Sequence, residues 1–129
     1  MTVARIWRER GRRYRLEAAR CKGCGKVFFP GRLVCDKCGS REFEEIRLSD
    51  KGKILTYTVI RVPPPAHTYE TPYAVAIVEL EGGGRITAMV ADCDPEKLEI
   101  GQNVRVVFRK ISQDGEKGIK FYGYKVVPA

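Results

Sequence analysis

Four cysteines are spaced as two C-x-x-C pairs, Cys21 with Cys24 and Cys35 with Cys38. Two residues between the cysteines let one tight turn direct both sulfurs at the same ion, and two such turns complete a tetrahedron. A glycine follows each pair and can adopt the positive φ that closes such a turn. Because ten residues separate the pairs, enough for a short hairpin, the pattern predicts a zinc ribbon.

Two disulfides, or four unrelated buried cysteines, are the alternatives to a metal site. The doubled spacing favours metal binding. A site closed by four cysteines offers no position for an activated water, so the metal is expected to stabilise the fold and not to hydrolyse a substrate. Zinc and iron both suit four thiolates, and the sequence does not distinguish them.

The remaining reactive side chains do not form a catalytic constellation. His67, the single histidine, lies in a loop whose nearest carboxylate is Glu70. Cys93 lies between Asp92 and Asp94, and negative neighbours raise the pKa of a thiol. Neither phosphate-binding glycine motif, G-x-x-x-x-G-K-[ST] or G-x-G-x-x-G, is present. The sequence therefore predicts a protein that is not an enzyme, with acyl transfer by Cys93 kept as a separate hypothesis.

The net charge of +8 on 129 residues is concentrated in the first part of the chain. Residues 1–50 carry thirteen Lys or Arg against seven Asp or Glu, whereas residues 51–129 carry eleven against nine. Such a patch suits nucleic acid, a nucleotide cofactor or an acidic protein partner. Alternatively, part of it balances the negative charge of a zinc ion with four thiolates.

The N-terminal segment is expected to form a short cationic helix over residues 2–13, with Ile6 and Trp7 as its apolar anchors and Gly11 near its end. A tryptophan on so short a helix cannot bury itself locally. It is expected to pack either on the rest of this chain or on another protein.

The zinc ribbon is predicted over residues 14–50. A strand over residues 14–19 is expected to lead into the first cysteine pair, and residues 26–34 are expected to form a hairpin that turns at Pro30–Gly31. Residues 41–48 are expected to form the third strand of the ribbon.

A barrel is predicted over residues 51–129, after a turn at residues 50–52. Five runs rich in Val, Ile, Thr and Tyr are expected to be its strands, at residues 53–61, 73–81, 85–91, 103–110 and 119–127. Gly82–Gly84 and Asp114–Gly115 are expected in turns, and Asp94–Pro95 is expected to start one helical turn. Five strands with a helical segment between the third and fourth is the order of an OB-fold barrel.

The loop over residues 62–72 joins the first two barrel strands and holds three consecutive prolines, which favour an extended backbone. OB folds commonly bind ligands with this loop, although a rigid cover over one barrel end is an equal interpretation. Nucleic acid is the alternative ligand class. It is disfavoured because the second and third strands offer one aromatic side chain, Tyr73, for stacking.

The order of helix, ribbon and barrel resembles the acyl-CoA-associated zinc-ribbon/OB-fold protein family, abundant in archaea. The resemblance covers essentially the whole chain and rests on CKGCG, FFPGRLVCDKCGS, GKILTYTVIRVPP, PPAHTYETPY, PYAVAIVELEGGGRITAMV and IGQNVRVVF. It implies a rubredoxin-like ribbon and a non-catalytic scaffold. By this resemblance the chain is expected to join acetoacetyl-CoA thiolase to hydroxymethylglutaryl-CoA synthase around a shared CoA site, at the entry to the mevalonate pathway. The resemblance also leaves open other thiolase-like partners, for instance in steroid side-chain or lipid metabolism.

Six residues have the chemistry to contact CoA or a partner enzyme in such a scaffold. Arginine suits the phosphates of CoA, and apolar or aromatic groups suit a partner surface or the nucleotide. The candidates are Ile6, Trp7, Arg8, Pro64, His67 and Tyr69. The sequence shows no run of apolar residues long enough to cross a bilayer and no signal peptide, and reduced cysteines suit the cytoplasm, where we expect this protein.

Overall fold

The computed structural model describes residues 3–65, 71–113 and 116–129, and in these ranges it confirms a mainly β fold. Two short helices are α1 (Val3–Arg8) and α2 (Arg10–Arg15). A three-stranded sheet contains β1 (Glu17–Cys21), β2 (Val27–Phe28) and β3 (Phe43–Arg47). A closed barrel contains β4 (Lys51–Ile60), β5 (Tyr73–Leu80), β6 (Arg85–Val90), β7 (Asn103–Gln113) and β8 (Lys120–Pro128).

The N-terminal segment forms two helices where one was predicted. The helices break at Glu9, and α2 continues through Gly11 to Arg15, so the helical segment ends later than the predicted residue 13. Leu16 ends α2 in the left-handed region at φ 52° and ψ 42°, and its amide bonds back to the Gly11 carbonyl. The strand predicted from residue 14 begins only at Glu17. The burial of the Leu16 side chain in the core fixes this turn, which local propensity does not reveal.

The three ribbon strands pair antiparallel with β1 in the centre. β3 pairs along the whole of β1, from Glu17 opposite Arg47 to Cys21 opposite Phe43, which confirms the predicted third strand. The hairpin predicted over residues 26–34 is wrong, because β2 ends at Phe28 and pairs with β1 instead. Proline at position 30 has no amide hydrogen with which to continue the ladder.

The barrel has the strand order β4-β5-β6-β8-β7, and β4 closes it by pairing with β7. All neighbours are antiparallel except β6 and β8, which meet in parallel at Val90 and Val126. This is the predicted OB fold. The turn predicted at residues 50–52 extends too far along the chain, because Lys51 and Gly52 already belong to β4.

Two of the predicted barrel connections are confirmed. The Leu80 amide bonds to the Gly84 carbonyl at 3.0 Å across the glycine turn. Asp94 caps a single 3₁₀ turn at Pro95–Lys97, and its carboxylate accepts from the Glu96 amide at 3.0 Å. The predicted turn at Asp114–Gly115 lies outside the described residues.

One apolar core is shared by the barrel and the ribbon. Its buried members include Ile54, Val78 and Val126 from the barrel, together with Leu16 and Ala18 from the ribbon side. The back of the ribbon sheet therefore packs against the barrel. Among the described helices, none has both the length and the apolar character to cross a membrane.

Candidate metal centre and docking surfaces

The four predicted cysteine ligands converge on one point. Their sulfur atoms all lie within 4.8 Å of one another. The Sγ atoms of Cys21 and Cys38 are 3.4 Å apart, and those of Cys24 and Cys35 are 3.5 Å apart. A tetrahedral site with zinc–sulfur bonds of about 2.3 Å has sulfur–sulfur edges of about 3.8 Å. The arrangement fits a four-coordinate zinc ion.

Two equivalent turns hold these sulfurs. The Gly25 amide donates to the Cys21 carbonyl at 2.9 Å, and the Gly39 amide donates to the Cys35 carbonyl at 3.1 Å. Both glycines have positive φ, 79° and 73°, in the region that glycine adopts at little cost. The repeat of one turn at both cysteine pairs is the geometry that the spacing predicted.

The electrostatic environment of the four cysteines favours the binding of a cation. The backbone amide of Cys24, as the largest cause, lowers the pKa of the Cys21 thiol to about 6. In the same way the amide of Cys38 lowers the pKa of Cys35. At Cys38 the Ser40 amide favours the thiolate, but the neighbouring Cys21 thiol and burial outweigh it and raise the pKa to about 12. Thiolates held this close together repel one another, and a bound divalent metal would offset that repulsion.

The metal centre is built into a small apolar cluster of its own. Cys21 and Cys35 are buried with Phe28, whose ring meets Phe43 edge-on at 5.9 Å between centroids. Cys38 is exposed, and its sulfur is the fourth candidate ligand of the metal site. A centre closed by four protein sulfurs is typical of a structural metal site.

Cys93 is poorly suited to nucleophilic catalysis. Burial, then the charges of Asp94 and Asp92, raise the pKa of its thiol. The flanking carboxylates were evident from the sequence, whereas burial, the largest cause, was not. Asp92 is engaged by both terminal nitrogens of Arg109, at 2.7 and 3.3 Å.

The candidate contact residues of α1 face in different directions. Ile6 is buried against the rest of the chain, whereas Trp7 is 62% exposed and Arg8 is also exposed. The Arg10 guanidinium lies 4.3 Å from the centroid of the Trp7 ring and covers part of it. Val3, one turn before Trp7, is likewise exposed. Trp7 and Arg8, not Ile6, are therefore available to another protein.

The other candidates belong to the loop before β5. Pro64 is exposed, and His67 and Tyr69 lie outside the described residues. The structure therefore does not place this group relative to Trp7 and Arg8.

A set of aromatic side chains that the sequence reading missed joins the three parts of the chain. Phe29 of the ribbon meets Tyr124 of β8 at 5.8 Å between centroids. Tyr14 of α2 meets Phe108 of β7 edge-on at 5.3 Å, and Phe108 stacks on Tyr122 at 5.3 Å and 20°. Aromatic residues on the last strand were noticeable in the sequence, but their partners are distant along the chain.

Two family descriptions match this chain over adjacent ranges. Residues 8–44 match the ChsH2 rubredoxin-like zinc ribbon domain, and residues 45–109 match the ChsH2 C-terminal OB-fold domain. A DUF35 domain-containing scaffold protein of Methanocaldococcus jannaschii is 50% identical over 127 residues, which are 98% of this chain and 90% of that protein. The chain belongs to the DUF35 family of acyl-CoA-associated zinc-ribbon/OB-fold proteins.

More distant relatives of this DUF35 protein are parts of enzyme complexes by name. The benzoylsuccinyl-CoA thiolase subunit BbsA of Thauera aromatica is 28% identical over 89% of this chain and 77% of that protein. A solved structure described as the Ltp2-ChsH2(DUF35) aldolase superposes with a TM-score of 0.72 at 30% identity, covering 96% of this chain and 89% of that one.

Proposed function

We propose that this chain is a non-catalytic accessory subunit that bridges thiolase-type acyl-CoA enzymes. The observation that carries the proposal is membership of a family whose relatives are named as scaffold proteins and as a thiolase subunit. The site chemistry agrees with it. The metal centre is closed by four cysteines, and burial and two carboxylates raise the pKa of the Cys93 thiol.

The proposed partners are acetoacetyl-CoA thiolase and hydroxymethylglutaryl-CoA synthase, in the cytoplasm. The resemblance of the whole chain to scaffolds of this type supports the choice. Condensation of two acetyl-CoA molecules is unfavourable, and passing acetoacetyl-CoA directly to the synthase draws it forward. A bridging subunit that contributes to a shared CoA site at the entry to the mevalonate pathway would have this effect.

Within this proposal the metal is a structural zinc ion that shapes the ribbon, and the exposed end of α1 contacts a partner. Trp7 supplies apolar area and Arg8 supplies a guanidinium for phosphate or carboxylate groups. Pro64, His67 and Tyr69 are proposed to line the CoA or partner contact from the loop before β5.

Co-purification from the native organism tests this function. A tagged full-length chain should recover a thiolase and a synthase in fixed proportion, identified by mass spectrometry. Recovery of the chain as a monomer without either enzyme, from cells that contain both, would contradict the proposal.

A further inference from the structure

Three aromatic rings are exposed side by side where the helices meet the barrel. Tyr14, Phe108 and Tyr122, here called the aromatic junction, are 40%, 55% and 38% exposed. Each ring contacts the next, with 5.3 Å between successive centroids. Single exposed apolar side chains are ordinary on a protein surface, whereas a contiguous exposed group marks an interaction site.

Phe108 and Tyr122 are exposed because they lie toward the end of the β7–β8 hairpin, beyond the barrel core. Side chains two apart on a strand share a face, so Phe108 lies on the same face as Val104 and Val106. Val104 is buried in the barrel core and Val106 packs against it, but Phe108 has passed beyond the core and is mostly exposed. Tyr122 lies two residue pairs further out, opposite Lys110.

The three rings of the junction lie outside the shared apolar core. The inner ring, Tyr124, already packs against Phe29 and the shared core, which joins ribbon to barrel. Tyr14, Phe108 and Tyr122 add a second layer outside it that faces solvent. Tyr and Phe are both enriched at the centre of protein interfaces, and Tyr is among the residues that dominate binding energy there.

A cleft of about 430 Å³ continues the junction toward the ribbon. Tyr14, Phe108 and Tyr124 form part of its wall, and Arg47 of β3 lies on the ribbon side. Asp50 is a carboxylate in the same wall.

Among the described residues around the junction, the cations without an ion-pair partner outnumber the carboxylates without one, of which Asp50 is an example. Two other arginines of the cleft have internal partners, since Arg13 lies 3.6 Å from Glu9 and Arg15 lies 2.8 Å from Glu17. Within the described ranges, no carboxylate oxygen lies within 4.0 Å of the Arg47 or Lys110 side chains. Both side chains are exposed. A protein that covers the rings would therefore gain by placing carboxylates at its rim.

We propose that the aromatic junction, with Arg47 and Lys110 at its rim, is a docking surface for a thiolase-type subunit. The contacting face of that subunit presents an apolar side chain to the rings and the cleft, surrounded by carboxylates for the two cations. This inference rests on the proposed function and extends it. A subunit that bridges two enzymes requires two surfaces, and the junction supplies one besides the Trp7 face of α1.

Binding of the purified thiolase of the source organism to the immobilised full-length chain tests the assignment. The double variant Phe108→Ser/Tyr122→Ser should weaken binding at least about tenfold, as expected for central interface aromatics. Arg47→Glu/Lys110→Glu should weaken it as well, and this weakening should depend on salt. Ile100→Ser removes a side chain that is 70% exposed at another place and should leave binding unchanged. Metal content and thermal unfolding establish that each variant is folded.

The outcomes separate the inference from the function. If the unchanged chain does not bind the thiolase, the proposed function and this inference both fall. If it binds, and the folded charge-reversal variant binds equally well, the junction is not the docking surface although the function stands. If the ring substitution prevents folding, the charge-reversal variant decides alone. If the folded junction variants lose the binding of a labelled single-stranded oligonucleotide that the unchanged chain shows, but retain thiolase binding, the junction binds nucleic acid and the inference is overturned.

Discussion

Cys21 shows how one residue joins the sheet to the metal centre. It is the last residue of β1, opposite Phe43, and its carbonyl accepts the Gly25 amide that closes the first turn. Its side chain is 1% exposed, and its sulfur lies 3.4 Å from that of Cys38. The metal therefore fixes the end of the central ribbon strand as well as the loop that follows it.

Replacement of Cys21 by serine should abolish stoichiometric metal binding and unfold the ribbon, because binding energy at a structural site is folding energy. Elemental analysis of the purified variant measures the metal and also distinguishes zinc from iron. Cys93→Ser is the matched control and should keep the metal, since Cys93 does not belong to the cluster. A Cys21→Ser protein with full metal content and unchanged thermal stability would contradict the structural role.

The Cys93 thiol should react slowly with alkylating reagents in the metal-bound protein. Burial and its two aspartate neighbours raise the pKa of this thiol, so at any pH below that pKa a smaller fraction is thiolate than in a free thiol. The alkylation rate at mildly alkaline pH, compared with glutathione and followed by peptide mass spectrometry, measures this. Reaction as fast as that of glutathione would show that the environment of Cys93 differs from the one described.

For individual residues, the sequence predicted the metal ligands, which depend on spacing along the chain. It did not predict which side chains are buried, because burial depends on packing between distant parts of the chain. The cysteine ligands follow from a fixed two-residue interval. The burial of Ile6 and the exposure of Trp7 do not, because a six-residue helix with two adjacent apolar side chains can pack by either one. The aromatic junction was missed because Tyr14 lies almost a hundred residues before Phe108 in the chain.

Among the elements, β4 closes the barrel. Gly52 pairs with Leu80 of β5 and with Val104 of β7, so the strand is hydrogen-bonded on both sides at this residue. In the sequence the glycine after Asp50 and Lys51 resembles a turn. It is required for a different reason, since a Cβ at Gly52 would lie 2.5 Å from the carbonyl oxygen of Glu79.

Gly52→Ala should lower the free energy of unfolding by about 3 kcal/mol, because the clash is with backbone and cannot be relieved by moving a side chain. Gly31→Ala is the control, since the nearest atom to a Cβ there is 3.4 Å away, an ordinary contact. Urea unfolding of both variants with metal bound measures the difference. Equal stability of the two would show that β4 and β5 are not as close as described.

Composition and hydrophobic periodicity predicted which segments are helices and strands, whereas the first or last residue of several of these elements could not be predicted. All five barrel strands were predictable because each is a run of β-branched and aromatic residues bounded by turn residues. The ribbon hairpin was predicted wrongly, because Pro30–Gly31 is typical of a hairpin turn but β2 already ends at Phe28. The break in the helix at Glu9 coincides with its ion pairs to Arg12 and Arg13, which lower the Glu9 pKa through the Arg12 hydrogen bond above all.

For the whole molecule, the shared core predicts one cooperative unfolding transition. Leu16 and Ala18 of the ribbon side belong to the same buried cluster as Ile54 and Val78 of the barrel, so neither part keeps its full core alone. Removal of the metal by a chelator should therefore lower the unfolding temperature of the barrel too. Metal release and far-ultraviolet circular dichroism should change together on heating. Two well-separated transitions would contradict a shared core.

The proposed function requires this DUF35 chain to hold two acyl-CoA enzymes in one assembly. The mass of the intact complex from the native organism tests it most directly. Native mass spectrometry should give an assembly whose mass requires this chain, a thiolase and a synthase together, and dissociation should release all three. A mass that corresponds to this chain alone or to its self-association, under conditions in which both enzymes are present, would contradict the account.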